Sequence, residues 1–149
     1  MSIRELINLN LLETAKQMRK GAGYHFDWGS FFRHLAPDEP DDVPAYGQQD
    51  TGEFISQLIY PLHERTLTVE HRGYHYVPDP TQAGTEANYM LADLERMLMQ
   101  DITRGGLAVD TRIVRNDTFI GYPATNGVTV SVVSEIDYRT LMTDPNLAK

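Results

Sequence analysis

The chain has 149 residues, of which 41% are hydrophobic and 23% charged, so it predicts one domain with a buried core and an ordinary soluble composition. It contains no cysteine, which excludes disulfide bonds, thiol nucleophiles and thiolate zinc sites. A formal net charge of −8 argues against a nucleic-acid-binding surface, and the sequence shows neither a membrane-length apolar run nor a secretion signal, so we expect assembly in a cytoplasm and no membrane partner.

The first predicted element is a helix near the N-terminus. Ser2, followed three residues later by Glu5, gives the capping-box pattern that begins many helices. Apolar residues then recur at helical spacing, at Ile3, Ile7, Leu11, Ala15 and Met18. Arg19, Lys20 and Gly21 are typical of a helix C-terminus. The pattern predicts a helix with one apolar stripe that packs against the rest of the domain.

Residues 21–52 lose this periodicity and predict a long loop, whose first part is aromatic and spans residues 24–32. Aromatic side chains favour burial, either against the same chain or against a partner, and the sequence leaves both alternatives open. If the contact is to a partner, the candidate interface residues are Phe26, Trp28 and Phe31, with Tyr74 and Tyr76 of a later strand.

The second part of the loop is acidic and covers residues 37–42, where Pro37 and Pro40 impose an extended path. Its carboxylates lack the alternating spacing of a calcium-binding loop. We interpret them as a solvated surface or as the lining of an acidic channel; they are Asp38, Glu39, Asp41 and Asp42. Residues 43–46 then indicate a short strand.

Residues 62–77 predict an extended strand with Leu67, Val69 and His71 on one face. Gly73 predicts a bulge or bend within that strand. Pro78 and Pro80, which follow, end it.

A second helix is predicted to begin after Thr85 and to stop before Gly105 and Gly106. Its apolar face comprises Ala87, Leu91, Leu94, Leu98 and Ile102, with Met90 and Met97 along the edge. Asp93 and Arg96 fall on the opposite, polar face, where replacement by alanine should be nearly neutral for folding.

Two alternating patterns close the chain. Residues 107–113 predict a half-buried strand. Pro123 restricts residues 119–122, which precede it, to a sheet edge or a loop. Residues 128–138 alternate again after the turn pair Asn126-Gly127. The elements together predict a single α+β domain over residues 1–149: a mainly antiparallel four-stranded sheet, two amphipathic helices packed on one face, and the long aromatic and acidic loop.

None of the candidate chemistries in the sequence withstands inspection. His71 and His75 lie on one strand, where a separation of four residues places them about 13 Å apart, too far to share a metal ion. His25 and Asp27 lack a nucleophile or second base, so an enzyme acting through residues 25–28 is the weakest interpretation. The glycines do not follow a phosphate-binding pattern. We therefore predict no catalytic residue, no cofactor and no metal.

Several segments, taken in order, resemble a known family. They are Leu67-Thr68-Val69-Glu70 in a strand, Leu91-Ala92-Asp93-Leu94-Glu95-Arg96 in a helix, the run 104–111 after it, and Asp137-Tyr138-Arg139 followed by Asp144-Pro145. Their order, spacing and chain length resemble the small tail-terminator and tail-completion proteins of long-tailed bacteriophages. The resemblance covers roughly residues 60 to 146, with a vaguer likeness in the first helix.

The resemblance implies a non-catalytic virion protein of the phage tail and neck, assembled in the cytoplasm of a bacterial host. Such a protein forms a homo-hexameric ring on the tail tube, stops tube polymerisation and offers a docking surface to head-completion or connector proteins. The aromatic and acidic loop leaves open whether tube, sheath or head is bound through it. DNA would pass through the ring without specific binding. Two alternatives remain: a head-completion or connector protein of the neck, and a non-viral protein-binding adaptor.

Overall fold

A computed structural model describes residues 1–35, 42–121 and 126–148, the last residue by its backbone only. Within these ranges the chain forms two α-helices, one short 3-10 helix and six strands. The helices are α1 (Ile3–Ala15), the 3-10 turn (Lys20–Ala22) and α2 (Ala83–Met99). The strands are β1 (Ser30–Phe32), β2 (Ala45–Gln57), β3 (Leu62–Tyr76), β4 (Asp110–Ile120), β5 (Gly127–Leu141) and β6 (Asp144–Ala148).

The strands form one curled, mixed sheet in the order β1-β2-β3-β5-β4, with β6 added to β5. β1 pairs with β2 in parallel, and the other pairings are antiparallel. The predicted four-stranded, mainly antiparallel sheet is therefore wrong. The largest difference is β2, of which the predicted short strand at residues 43–46 covers only the start. The rest of β2 is mostly polar and contains Gly47 and Gly52, so it lacks the apolar alternation by which strands are recognised. β1 and β6 are short enough to give no pattern of their own.

The centre of the sheet is the pair β3 and β5, and here the alternation was predicted correctly. Leu67, Val69 and His71 of β3 are buried, as are the residues of β5 that alternate with its outward-facing ones. In β5 these are Val128, Val130, Val132, Ser134, Ile136 and Tyr138. The two strands pair along their whole length, with Leu67 opposite Ile136. Period-2 burial defines an inner face, toward the helices, and an outer face.

Helix α1 begins as predicted: the Ser2 hydroxyl accepts a hydrogen bond from the backbone N–H of Glu5 at 3.2 Å. The apolar stripe faces the core, and Ile7 and Leu11 are fully buried. The helix ends at Ala15, earlier than the Arg19 region expected from the sequence. Met18 is nevertheless buried, because the turn after the helix keeps it on the same side.

Helix α2 begins at Ala83, two residues before the predicted cap, and its buried face is rotated from the predicted one. Met90 and Met97 are fully buried beside Leu94 and Leu98. Ile102 lies beyond the end of the helix and is exposed. Both helices contribute to one core with the inner face of β3 and β5. The helix also buries Asp93, so its assignment to a polar surface was wrong.

Gly73 does not mark a bulge, since β3 continues through it in register with β5. The absence of a side chain at Gly73 allows Trp28 to pack closely against the strand. A Cβ at this position would lie 2.8 Å from Cη2 of Trp28 and 3.1 Å from Cγ2 of Val130. The missing side chain therefore makes room for the indole ring of the aromatic loop against the sheet.

Candidate interaction surfaces

Trp28, the leading candidate for a partner contact, is a core residue of the protomer. Its side chain is only 4% exposed, and its indole Nε1 donates a hydrogen bond to Oδ2 of Asp93 at 2.9 Å. The same carboxylate accepts hydrogen bonds from the backbone N–H of His25 at 2.8 Å and of Phe26 at 3.2 Å. Of the two alternatives left open for the aromatic loop, Trp28 follows the first, burial against its own chain.

Helix α2 holds the aromatic loop through three residues spaced at i, i+4 and i+7. The Tyr89 ring stacks on His25 with centroids 4.4 Å apart, and Asp93 accepts the hydrogen bonds just described. Arg96 donates to the Gly23 carbonyl at 2.7 Å and lies over the Tyr24 ring at 5.2 Å. We call Tyr89, Asp93 and Arg96 the loop clamp. The helical spacing of these three residues is the sequence signal that could have identified it.

The other predicted interface residues are spread over neighbouring elements. Phe26 is half-buried and meets the His75 ring edge-on at 5.2 Å. Phe31 is half-buried and lies 6.4 Å from Tyr46. Tyr74 is half-buried on the outer part of β3, and Tyr76 is exposed and accepts a hydrogen bond from the Asn126 amide at 2.9 Å. Among the five aromatic candidates, Tyr76 alone is mainly exposed, so they do not form one surface.

Of the predicted acidic residues, Asp38, Glu39 and Asp41 lie outside the described part of the chain. Asp42 is exposed, and its carbonyl accepts a hydrogen bond from the Ser30 hydroxyl at 2.8 Å. The interpretation of this segment as a surface or as a channel lining stays a prediction.

His71 lies at the centre of a buried polar network. Tyr46 donates to the Gln48 amide oxygen at 3.0 Å. Because the Tyr46 hydroxyl proton is used in that bond, the Tyr46 oxygen must accept from His71, whose Nδ1–H donates to it at 2.7 Å. In this tautomer Nε2 of His71 accepts a hydrogen bond from the Ser134 hydroxyl at 2.8 Å. Gln48 continues the network to the backbone carbonyl of Asn8 on α1 at 2.9 Å.

Burial, and secondarily the positive charge of Arg104, lowers the pKa of His71 to about 3. Burial also raises the pKa of Tyr46 well above its usual value. Both groups are therefore neutral near pH 7, and both lie in the closed interior of the protein. The network positions β2, β3, β5 and α1 relative to one another and does not present a reactive group to solvent.

Among the residues that the structure describes, no group of three or more histidine, aspartate or glutamate side chains is placed to hold a metal ion. No helix within that part of the chain is long and apolar enough to span a membrane. The outer face carries an open groove of about 440 Å³, lined in part by Glu70, Arg72 and Asp117. Glu70 is already bound there by Arg72 and by Ser131, both at 3.0 Å.

Three consecutive exposed hydrophobic residues lie at the turn between β2 and β3. Ile59 and Tyr60 are 73% and 72% exposed, and Leu58 beside them is also exposed. The turn is held by the N–H of Leu62 bound to the Ile59 carbonyl at 2.7 Å, and by the N–H of Met142 bound to the Pro61 carbonyl at 2.7 Å. We call residues 58–60 the hairpin tip. Three adjacent exposed apolar side chains on an ordered turn are typical of a protein contact.

Two further exposed apolar pairs lie on opposite edges of the sheet. Phe54 and Ile55 are exposed on β2, and Phe119 and Ile120 are exposed on β4. Each pair belongs to a regular run that follows a β-bulge: residues 52–57 after the register shift in β2, and residues 115–120 after the shift in β4. We call these the β2 edge run and the β4 edge run.

Comparison with known proteins gives no assignment: no family model matches the chain, and no curated protein matches it significantly. The functional interpretation therefore depends on the residues and surfaces described above.

Proposed function

We propose that this protein is a structural virion protein of a long-tailed bacteriophage: a tail terminator that forms a ring, with six copies as the expected number, at the head-proximal end of the tail. There it stops polymerisation of the tail tube and provides the surface on which head-completion proteins dock. The protein acts by contact and carries out no reaction.

The observation that carries the proposal is the hairpin tip. An isolated protein gains nothing from displaying Leu58, Ile59 and Tyr60 on a well-ordered turn, whereas aromatic and aliphatic anchors of this kind dominate binding energy in protein interfaces. The buried polar groups around His71 are bound to one another, which fits a scaffold better than a reaction centre.

The tail and the ring enter the proposal through the sequence resemblance. The segments that resemble tail-terminator proteins lie on β3, on α2, on the connection from α2 into β4, on β5 and at the start of β6. β3, α2 and β5 contribute much of the core, so the resemblance concerns the scaffold of the protein. The hairpin tip lies outside those segments, at residues 58–60, and is the surface that we assign to the tail tube.

The proposal can be tested with a phage that carries this gene. Deletion of the gene should give tails of uncontrolled length that fail to join heads, and the wild-type gene supplied in trans should restore a uniform length in electron micrographs. The double substitution Ile59→Ser, Tyr60→Ser should leave the melting temperature close to that of the wild-type protein, because both side chains are exposed, and should fail to restore tail length.

Met99→Ser provides the matched control, because it removes an exposed apolar side chain from the end of α2, away from the hairpin tip. This variant should restore normal tails. Purified protein mixed with the tail-tube protein of the same phage should form rings at tube ends in electron micrographs. Binding to the connector and not to the tube would identify a head-completion protein instead, and binding to neither would favour the adaptor alternative; both results would overturn the proposal.

A further inference from the structure

The sheet has two long edges that its own strands leave open. Within the described part of the chain, β2 has a neighbour on both sides only at residues 45–47, where β1 joins it; beyond Gly47 it pairs with β3 alone. β4 pairs with β5 alone over residues 110–120. Each edge presents backbone N–H and C=O groups that form no ladder hydrogen bonds, and such groups form a template for another strand.

Neither edge run carries lysine or proline, the two residues that most commonly block strand addition. The β2 edge run is Gly-Glu-Phe-Ile-Ser-Gln and the β4 edge run is Arg-Asn-Asp-Thr-Phe-Ile. Their charged side chains are already paired within the protomer, Glu53 with Arg65 at 3.2 Å and Arg115 with Asp117 at 2.8 Å. Both bulges lie before the runs, so each run is a regular strand of six residues. Phe54 is 73% exposed and Phe119 is 68% exposed. A regular edge strand without lysine or proline and with an exposed aromatic residue is suited to pairing with another strand.

We infer that the β4 edge run of one protomer pairs with the β2 edge run of the next, so that the sheets join across each contact of the ring. This inference deepens the proposed function and depends on it. The occupant of each edge is a second copy of this chain, because an open edge accepts only an extended strand and the chain supplies one of equal length at its opposite edge.

The directions of the strands fit this pairing. β2 runs antiparallel to β3, and β3 and β4 both run antiparallel to β5, so β2 and β4 run in opposite directions within one sheet. A neighbouring copy in the same orientation therefore brings β2 against β4 as an antiparallel pair, the slightly more stable kind. Because the two surfaces differ, the contact is head-to-tail, and such a contact forms a closed ring when the rotation between neighbouring copies is a whole fraction of a turn.

The side chains select one register. Phe54 lies opposite Thr66 of β3 and Phe119 lies opposite Thr129 of β5, so both rings are on the outer face. Placing Phe54 opposite Phe119 keeps the faces of the joined sheet consistent and forms an aromatic cross-strand pair. The same register puts Ile55 and Ile120 diagonally across the inner face.

Cysteine cross-linking tests this contact cleanly, because the chain has no cysteine of its own. Residues directly opposite each other on paired strands have Cβ atoms about 4.5–5.5 Å apart, within reach of a short bis-maleimide. The double variant Phe54→Cys, Phe119→Cys, treated after ring formation on tail tubes, should give a ladder of covalent multimers that ends at the full ring. Both side chains are exposed, so the substitutions should not prevent folding.

The single variants distinguish the head-to-tail contact from a symmetric one. Phe54→Cys protein mixed with Phe119→Cys protein should give covalent dimers only, and neither variant should cross-link by itself. Phe119→Cys mixed with Met99→Cys, which places the thiol on α2, should give none. Cross-linking of Phe54→Cys with itself would overturn the inference, because it would show a β2-to-β2 contact.

The outcome for the inference is separable from the outcome for the proposed function. Rings on tail tubes without the cross-linked ladder would overturn the edge pairing and leave the tail terminator standing. A ladder with normal ring size but tails that show no dependence on the gene would support the pairing and overturn the terminator. Absence of any ring would overturn both.

Discussion

The indole N–H of Trp28 donates a hydrogen bond to the Asp93 carboxylate across 2.9 Å, joining the aromatic loop to helix α2 over 65 positions of sequence. Two backbone N–H groups of the same loop, those of His25 and Phe26, complete the set of donors to that carboxylate. The charge is buried, and three donors from a segment without secondary structure compensate its loss of water. A loop that looks like a binding surface in the sequence is thereby part of the interior.

The first prediction concerns Asp93. Asp93→Ala leaves the buried indole N–H and two partly buried backbone N–H groups without their acceptor, so the free energy of unfolding should fall by about 3 kcal/mol. Asp93→Asn keeps one acceptor oxygen and should give an intermediate loss. Glu95→Ala, which removes a half-buried carboxylate of the same helix bound by the exposed Asn116 amide, should cost about 1 kcal/mol or less. Urea denaturation of the three variants measures the series, and equal values for Asp93→Ala and Glu95→Ala would refute the role of the clamp.

The second prediction concerns the contact between Gly73 and Trp28. Gly73→Ala inserts a methyl group 2.8 Å from the indole Cη2 and should cost about 1–3 kcal/mol. In a Trp28→Phe background the clashing ring atoms are absent, so the same substitution should cost much less. Gly52→Ala is the control, since a Cβ at Gly52 meets nothing within 4 Å. A double-mutant cycle by denaturation measures the coupling, and strictly additive values would contradict this contact.

How far the sequence predicts the fold depends on whether a segment carries its own periodicity. β3, β5 and α1 were predicted because their apolar residues repeat at a period that burial imposes. β2 beyond the short strand predicted at residues 43–46 could not be found in this way. It is polar and contains glycine, and its place in the sheet is fixed by its partner β3 and by side chains of α1, including the Arg4 guanidinium 3.0 Å from the Asp50 carboxylate.

The candidate surface was predicted less well, for a related reason. Aromatic residues in an aperiodic segment indicate burial without stating against what, and only the position of Asp93 on α2 decides the case for Trp28. The hairpin tip and the edge runs gave no sequence signal, because Phe54, Ile59 and Phe119 lie in or beside strands where apolar residues are normally buried. Exposure is a property of the whole sheet, since it depends on which strands lie at its edges.

The third prediction concerns the buried face of α2. Leu94→Ala, Leu98→Ala and Met97→Ala should each lower the free energy of unfolding by about 2–5 kcal/mol, because each removes a fully buried side chain and leaves a cavity. Ile102→Ala should cost much less, since Ile102 is exposed beyond the helix. Thermal or chemical denaturation ranks the four variants. A large loss of stability for Ile102→Ala with a small loss for Met97→Ala would contradict this buried face and support the one predicted from the sequence.

The last prediction concerns pH and rests on His71, whose pKa falls to about 3 in the folded protein because the ring is buried. An unfolded histidine has a pKa of about 6.5, so above that value the ring is neutral in both states and adds no pH dependence. Below pH 6.5 the unfolded chain binds a proton at this ring that the folded protein does not bind, so the free energy of unfolding should fall by about 1.4 kcal/mol per pH unit until pH 3 is approached.

Between pH 6.5 and 5 this loss amounts to about 2 kcal/mol. The variant His71→Gln, although less stable than the wild-type protein at pH 7.5, should lose most of this dependence of stability on pH. His75→Gln should flatten it less, because burial also lowers the pKa of His75 but that ring is only half-buried. Denaturation curves at several pH values measure the slopes, and an unchanged slope in His71→Gln would show that another group is responsible.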